Sequence, residues 1–224
     1  MNPSPSTAWY RQIAGRIATW WPLKAVGTTV FMVLFFSAYF AALQTPHGPA
    51  TLMPLTWLDA RIPFAEAAFP VYVSLWVYVS LPPALMAGLR AALLYGVWVA
   101  ALCLFCLGIF WFLPTAVPPA GIDWSAYPEM AMIKGIDAAG NACPSLHVAS
   151  AVFSAFWLAR VFRNVGAPCW LRAVSVVHCA AILWSTVATR QHVVLDVVAG
   201  GLVGTLFAVA SLYAMGRQIG RARL

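Results

Sequence analysis

The stretch AALLYGVWVAALCLFCLGIFWFL, residues 91–113, decides the fold class. It holds no charged side chain and has the length, about 20 apolar residues, that a helix needs to cross the hydrocarbon of a bilayer. Five further runs of this kind lie near residues 24–44, 67–89, 145–163, 171–188 and 192–215. The whole chain of 224 residues is 62% hydrophobic and only 8% charged, too few charges to cover a soluble domain of that size. Its eleven tryptophans and seven tyrosines fit belts at the two membrane interfaces. The sequence thus predicts an all-α, polytopic membrane protein of six transmembrane helices, the second kinked at Pro82 and Pro83.

The first 23 residues interleave Trp9, Tyr10, Ile13, Ile17, Trp20 and Trp21 with Arg11 and Arg16. Without an early continuous apolar core they read as a helix lying in the interface and not as a cleavable signal peptide. The expected organisation is an interfacial arm at 1–23, one six-span domain at 24–216 and a basic tail at 217–224. Six crossings return both termini to one side. That side collects Arg11, Arg16, Lys24, Arg90, Arg160, Arg163, Arg172, Arg217, Arg221 and Arg223, ten of the thirteen basic residues, and is read as cytoplasmic. The opposite, extracytoplasmic (periplasmic) face of a plasma or inner membrane keeps Arg61, Lys134 and Arg190. It also holds, at or just inside it, all six acidic residues, Asp59, Glu66, Asp123, Glu129, Asp137 and Asp196, together with His47, His147 and His192. The net charge of +7 therefore follows topology, and no basic stripe interleaved with aromatics points to nucleic acid. The five cysteines read as small buried hydrophobes, with neither a disulfide framework nor a zinc site. Asp123, Glu129 and Asp137 show no calcium-loop spacing, so no metal or other cofactor is assigned.

The polar chemistry gathers at two helix starts. TRQHVVLDVVAGG, residues 189–201, opens the sixth segment with His192 and Asp196 four apart, on one helix face, where the carboxylate can accept the imidazole proton. CPSLHVASA, residues 143–151, opens the fourth with Pro144, Ser145 as N-cap and His147 in the first turn. Free amides and the positive end of the helix dipole favour an anion there, above all a phosphate. Two histidines, a carboxylate and an anion cradle on one membrane face make a phosphoryl-transfer set: His192 as nucleophile, Asp196 orienting it, and His147 protonating the leaving oxygen. Within the fifth span His178 reads as a hydrogen-bonded structural histidine, and in the first outer loop Asp59 with Arg61 reads as a local ion pair. Gly200, Gly201 and Gly204 read as residues that let helices pack closely.

PSLH followed by HxxxD on successive outward helix starts of a six-span core resembles the type 2 phosphatidic acid phosphatase (PAP2) superfamily, whose motifs read KxxxxxxRP, PSGH and SRxxxxxHxxxD. The resemblance implies a metal-independent mechanism with His192 as nucleophile, Asp196 as its partner and His147 as acid. This sequence departs from those motifs. Leucine replaces the glycine of PSGH, Ser185 and Thr186 stand at the serine and arginine of the third motif, and KxxxxxxRP does not occur. Phosphate-clamping charge then has to come from Arg190 first, Lys134 second, or Arg61. The same departures, and the stretch LDARIPFAEAAFPVYVSLWVYVSLP at 58–82, look like the branch of inositol phosphorylceramide synthases, which move a phosphoryl head group between lipids. The expected function is a lipid-phosphate phosphatase acting on a phosphatidate, prenyl diphosphate or sphingolipid phosphate through a phosphohistidine. The alternatives are a head-group phosphotransferase and a non-catalytic lipid carrier. The partners are the membrane and a phosphorylated lipid; the sequence leaves the oligomeric state open.

Overall fold

The computed structural model of the protein describes residues 8–136 and 140–221. The helices are α1 (Trp9–Ala18), α2 (Trp21–Gln44), α3 (Trp57–Arg61), α4 (Phe69–Val73), α5 (Leu75–Ala84), α6 (Leu89–Phe112), α7 (Pro128–Ile136), α8 (Leu146–Asn164), α9 (Cys169–Ala188) and α10 (Val194–Arg221). Two short loop segments, Thr51–Leu52 and Thr115–Ala116, pair in parallel, and Thr115 also bridges to Asn141. The chain between α5 and α6 is short, as is that between α8 and α9, so consecutive long helices run up and down.

Five helical stretches are long and apolar enough to cross a membrane: Trp21–Gln44, Glu66–Ala84, Leu89–Phe112, Cys169–Ala188 and Val194–Gly216. They are the signature of an integral membrane protein. The sixth expected segment is α8, which carries His147, Arg160 and Arg163 and is less apolar than the others. It lies among α5, α9 and α10, with Val148, Ala149, Ala151, Phe153, Leu158 and Val161 all buried. A helix shielded by its neighbours has no need of a lipid-soluble surface, which is why its composition is the least membrane-like of the six.

At the end of the bundle where α2 begins, Trp20 takes a left-handed conformation (φ 59°) and turns the chain from α1 into α2, earlier than the expected boundary at residue 24. Lys24 Nζ donates to the carbonyls of Arg16, Ala84 and Met86 at 2.7, 2.9 and 2.9 Å. One ammonium thereby satisfies carbonyls at the ends of α1 and α5 that no helix can satisfy itself. Trp9 and Ile13 of α1 pack on the core, and Gln12 Nε2 donates to Val165 O at 3.4 Å. At the far end of the chain α10 continues as helix to Arg221, through most of the residues expected as a tail.

The second segment is interrupted at Ser74, between α4 and α5, and not at its prolines. Pro82 and Pro83 occupy the last turn of α5, where the lost N–H groups disturb little of the helix. The Ser74 hydroxyl donates to Val71 O at 2.6 Å, so the Nε2–H of His178, 3.1 Å away, donates to Ser74 Oγ. His178 is thus the hydrogen-bonded structural residue expected of it. Cys103, Cys106 and Cys179 are buried as expected, but Cys169, at the start of α9, is exposed.

α8 and α10 approach closely through two glycines. A Cβ built on Gly200 would stand 2.4 Å from Ser145 O, and one on Gly204 would stand 2.4 Å from Ala149 O. Only glycine permits these two backbones to touch, whereas Gly201 faces open space and is not part of the contact. Farther along the same crossing Trp157 Nε1 donates to Ser211 Oγ at 3.0 Å, a buried polar pair that fixes rotation as well as distance.

Candidate active site

The glycine crossing sets the two motif-bearing helix starts side by side. Ser145 is the N-cap of α8, its Oγ accepting from Val148 N at 3.2 Å. Its own N–H donates to Asp196 O at 3.1 Å, a direct backbone link between the PSLH and HxxxD stretches. Ser145 is wholly buried and its hydroxyl is engaged in the cap, so the anion-facing groups of this helix start are first-turn amides.

His192 and Asp196 are juxtaposed, though not by sharing a helix face as the spacing predicts. Arg190 sits in the left-handed region (φ 58°), and the N–H groups of Gln191 and His192 both donate to Thr186 O at 3.0 Å, closing a tight loop at the end of α9. Asp196 Oδ2 then accepts from Val193 N at 3.0 Å, so the carboxylate caps its own helix and α10 opens only at Val194. His192 lies in the loop before it, with Nδ1 3.5 Å from Asp196 Oδ2. That gap is longer than a formed hydrogen bond. Among the described residues, four buried side-chain nitrogen or oxygen atoms have no hydrogen-bond partner, and three belong here: Gln191 Nε2, His192 Nδ1 and Asp196 Oδ1. Unsatisfied polar atoms in a folded interior are costly, and their concentration in one loop marks a place where polar groups are held for use.

His147 is stacked on the ring of Tyr72, centroids 4.1 Å apart and planes 9° from parallel, and its Nε2 is 3.1 Å from Tyr72 O. A carbonyl only accepts, so Nε2 carries the hydrogen and Nδ1 is the atom left to gain or lose a proton. His147 and His192 line one cavity of about 890 Å³ between α2, α5, α6 and α8. Beside the histidines it is bounded by Asn141, whose Nδ2 donates to the Tyr39 hydroxyl. From there it runs past Phe35, Trp76, Leu102 and Phe153 to Leu23 and Lys24 at the start of α2. A long, mostly apolar trough with the two histidines at one end and Lys24 at the other matches an amphipathic ligand.

The two cations expected to clamp phosphate are not among the residues lining that cavity. Arg190 donates from Nη1 to Asp59 O at 3.4 Å and from Nη2 to Ile62 O at 3.0 Å. Lys134 Nζ donates to Arg190 O at 2.7 Å and lies 5.1 Å from the centre of the Trp124 ring. Arg61 lies over Trp57, 5.9 Å from its centroid, instead of pairing with Asp59. Asp59 is buried and bonded elsewhere: Oδ2 accepts from Thr56 N at 2.7 Å and Thr56 Oγ1 at 2.6 Å, and Oδ1 accepts from Val194 N at 2.8 Å. Burial would raise its pKa, but the hydrogen bonds from Thr56 and Val194 outweigh it and hold the carboxyl below the usual range. Asp123 caps a short turn, accepting from Ser125 N and Oγ at 3.0 and 2.7 Å, and Asp137 lies outside the described residues. The sequence reading missed Asp59, Tyr72 and Asn141. Only Asp59 carried a local signal, Thr56-x-x-Asp59, a capping-box spacing.

The family model of the PAP2 superfamily matches residues 91–219, more than half of the chain: nearly all of α6, the whole of α7 to α9 and most of α10. The chain belongs to the PAP2 superfamily. No curated protein and no solved structure matches it. The PAP2 match takes in His147, His192 and Asp196 and leaves α1 to α5, including the 58–82 stretch, outside it. PAP2 membership suggests a phosphatase or phosphotransferase of lipid phosphates.

Proposed function

We propose that this PAP2 chain is a lipid-phosphate phosphatase working through a phosphohistidine at the extracytoplasmic membrane surface. The observation that carries the reading is the shared cavity: His147 and His192 bound one end of a trough whose walls are mostly apolar. The acyl or prenyl tail of a phosphatidate, prenyl diphosphate or sphingolipid phosphate occupies the trough, and the head group meets the histidines. His192 directs Nδ1 to Asp196, which leaves Nε2 to attack phosphorus. The P–O bond to the lipid breaks as His147 gives its Nδ1 proton to the leaving oxygen. Water then attacks the phosphohistidine, handing a proton back to His147, and inorganic phosphate leaves. The first-turn amides of α8, with its dipole, stabilise the equatorial oxygens, and Arg190 and Lys134, engaged by backbone carbonyls, act only through their longer-range field. Both termini are cytoplasmic in this reading, supported by Arg11, Arg16, Lys24, Arg90, Arg160, Arg163 and Arg172, which sit on α1 and at the helix ends away from the two histidine-bearing helix starts.

Head-group transfer between lipids is the second reading, and one observation favours it. Arg190 and Lys134 are tied to backbone carbonyls outside the cavity lining, and among the described residues no Lys or Arg lines its histidine end. A site so thin in positive charge suits the single charge of a phosphodiester better than the two of a phosphomonoester. Phosphate release by the purified protein from phosphatidate, prenyl diphosphates and sphingoid phosphates, with His192→Ala as blank, tests the first reading. His192-dependent release supports it. Its absence, with transfer of label to an added acceptor lipid, selects the second.

A further inference from the structure

The loop that carries His192 is held from outside the matched region by the short helix α3 and the residues that follow it. Three separate links join them. Asp59 Oδ1 accepts from Val194 N, the first residue of α10, at 2.8 Å. The Arg190 guanidinium reaches back to the carbonyls of Asp59 and Ile62, and Ala65 N donates to Ala188 O at 3.0 Å. Residues 59–65 thus grip both ends of the 188–194 turn, and His192 sits between the grips.

We propose that Asp59 is a positioning residue for the nucleophile, acting through the Val194 amide. The proposal rests on the phosphoryl-transfer reading and extends it to a carboxylate far from both histidines in sequence. The geometry distinguishes this role from simple helix capping. Capping α3 requires only Oδ2, which takes both Thr56 donors. Oδ1 is directed instead at the turn two residues beyond His192, where Asp196 Oδ2 already engages Val193. Two carboxylates on adjacent amides fix the last peptides before the helix, and thereby the direction in which the His192 ring leaves the backbone. Because His192 Nδ1 and Asp196 stand 3.5 Å apart without a formed hydrogen bond, their alignment depends on this backbone frame.

The test uses the full chain in detergent with dioctanoyl phosphatidate as probe, comparing wild type, Asp59→Ala, Asp59→Asn and Asp123→Asn, with His192→Ala as zero. For Asp59→Ala the expected result is a fall in kcat of tenfold or more with KM within about twofold. Asp59→Asn recovers part of that loss, since a carboxamide oxygen can still accept from Val194, and Asp123→Asn leaves both constants unchanged. In hydrogen–deuterium exchange the 188–197 segment of Asp59→Ala loses protection while α8 and α6 keep theirs. Unchanged exchange in 188–197, or loosened exchange with unchanged kcat, overturns the proposal. A wild type with no turnover above His192→Ala, with or without an added acceptor lipid and with prenyl diphosphate and sphingoid phosphate as further probes, overturns the underlying reading instead. The exchange arm alone then upholds or overturns the grip.

Discussion

An alanine at position 200 is the sharpest perturbation of the site that touches neither histidine. Its Cβ would lie 2.4 Å from Ser145 O, 3.1 Å from Val148 Cβ and 3.2 Å from Ser145 C. A carbon and a carbonyl oxygen in their closest favourable contact stand about 3.3 Å apart. The shortfall is therefore about 0.9 Å, and the obstacle is backbone that cannot rotate away. The starts of α8 and α10 have to separate by that amount, stretching the Ser145–Asp196 link and moving His147 relative to His192. Misplacement of reacting groups by about 1 Å costs on the order of a hundredfold in rate, which is the expected loss for Gly200→Ala. Overpacking costs about 1–3 kcal/mol, and the better helix propensity of alanine returns up to about 1 kcal/mol. A net loss of about 1–2 kcal/mol lowers Tm by about 5 °C in a chain of this size. His192-dependent phosphate release and thermal unfolding in the same detergent measure both. Gly201→Ala, with nothing within 4 Å of its added carbon, is the matched control and is expected to keep full activity and Tm. Full activity in Gly200→Ala, or equal damage from Gly201→Ala, would refute the argument that this crossing sets the site.

Lys24→Met removes the donor shared by three carbonyls and is expected to cost about 3 kcal/mol, read as a lower Tm with little change in KM for short-chain substrates. Ser145→Ala removes the cap of α8 and is expected to cost about 1 kcal/mol, again read by thermal unfolding. The folded pKa of Asp59 is depressed, so its contribution to stability is complete above the ordinary carboxylate value near ~4 and is lost as pH falls through the folded value. The Tm difference between wild type and Asp59→Asn should accordingly be constant from neutral pH down to about 5 and shrink below that. A difference that grows on acidification would contradict the sign.

The helices and the two motif-bearing starts were legible because each rests on local rules. An uncharged run such as 91–113 has one stable form in a bilayer, and Pro144-Ser145 has one common role before a helix. The glycine crossing was legible as a tendency, but which glycine meets which carbonyl depends on the rotation of α10, and Gly201 falls on the wrong side. The start of α10 was misread for a comparable reason. Spacing places His192 and Asp196 on one face, but the Asp196 carboxylate competes for the Val193 amide and delays the helix to Val194. The Asp59 grip was not legible at all, since its partner lies 135 positions along the chain. Nor was the engagement of Arg190 and Lys134 by carbonyls. Charge assigns a residue to a face of the membrane, whereas hydrogen bonds to backbone are settled by where the loops close.

The central claim is that His192 becomes phosphorylated. Rapid acid-free quenching of the purified protein during turnover of radiolabelled lipid phosphate, followed by peptide mapping, measures it directly. The account predicts acid-labile, base-stable phosphate on the peptide carrying His192, decaying at the rate of phosphate release and absent from His192→Ala. Turnover that leaves no phosphate on the protein and persists in His192→Ala would contradict it.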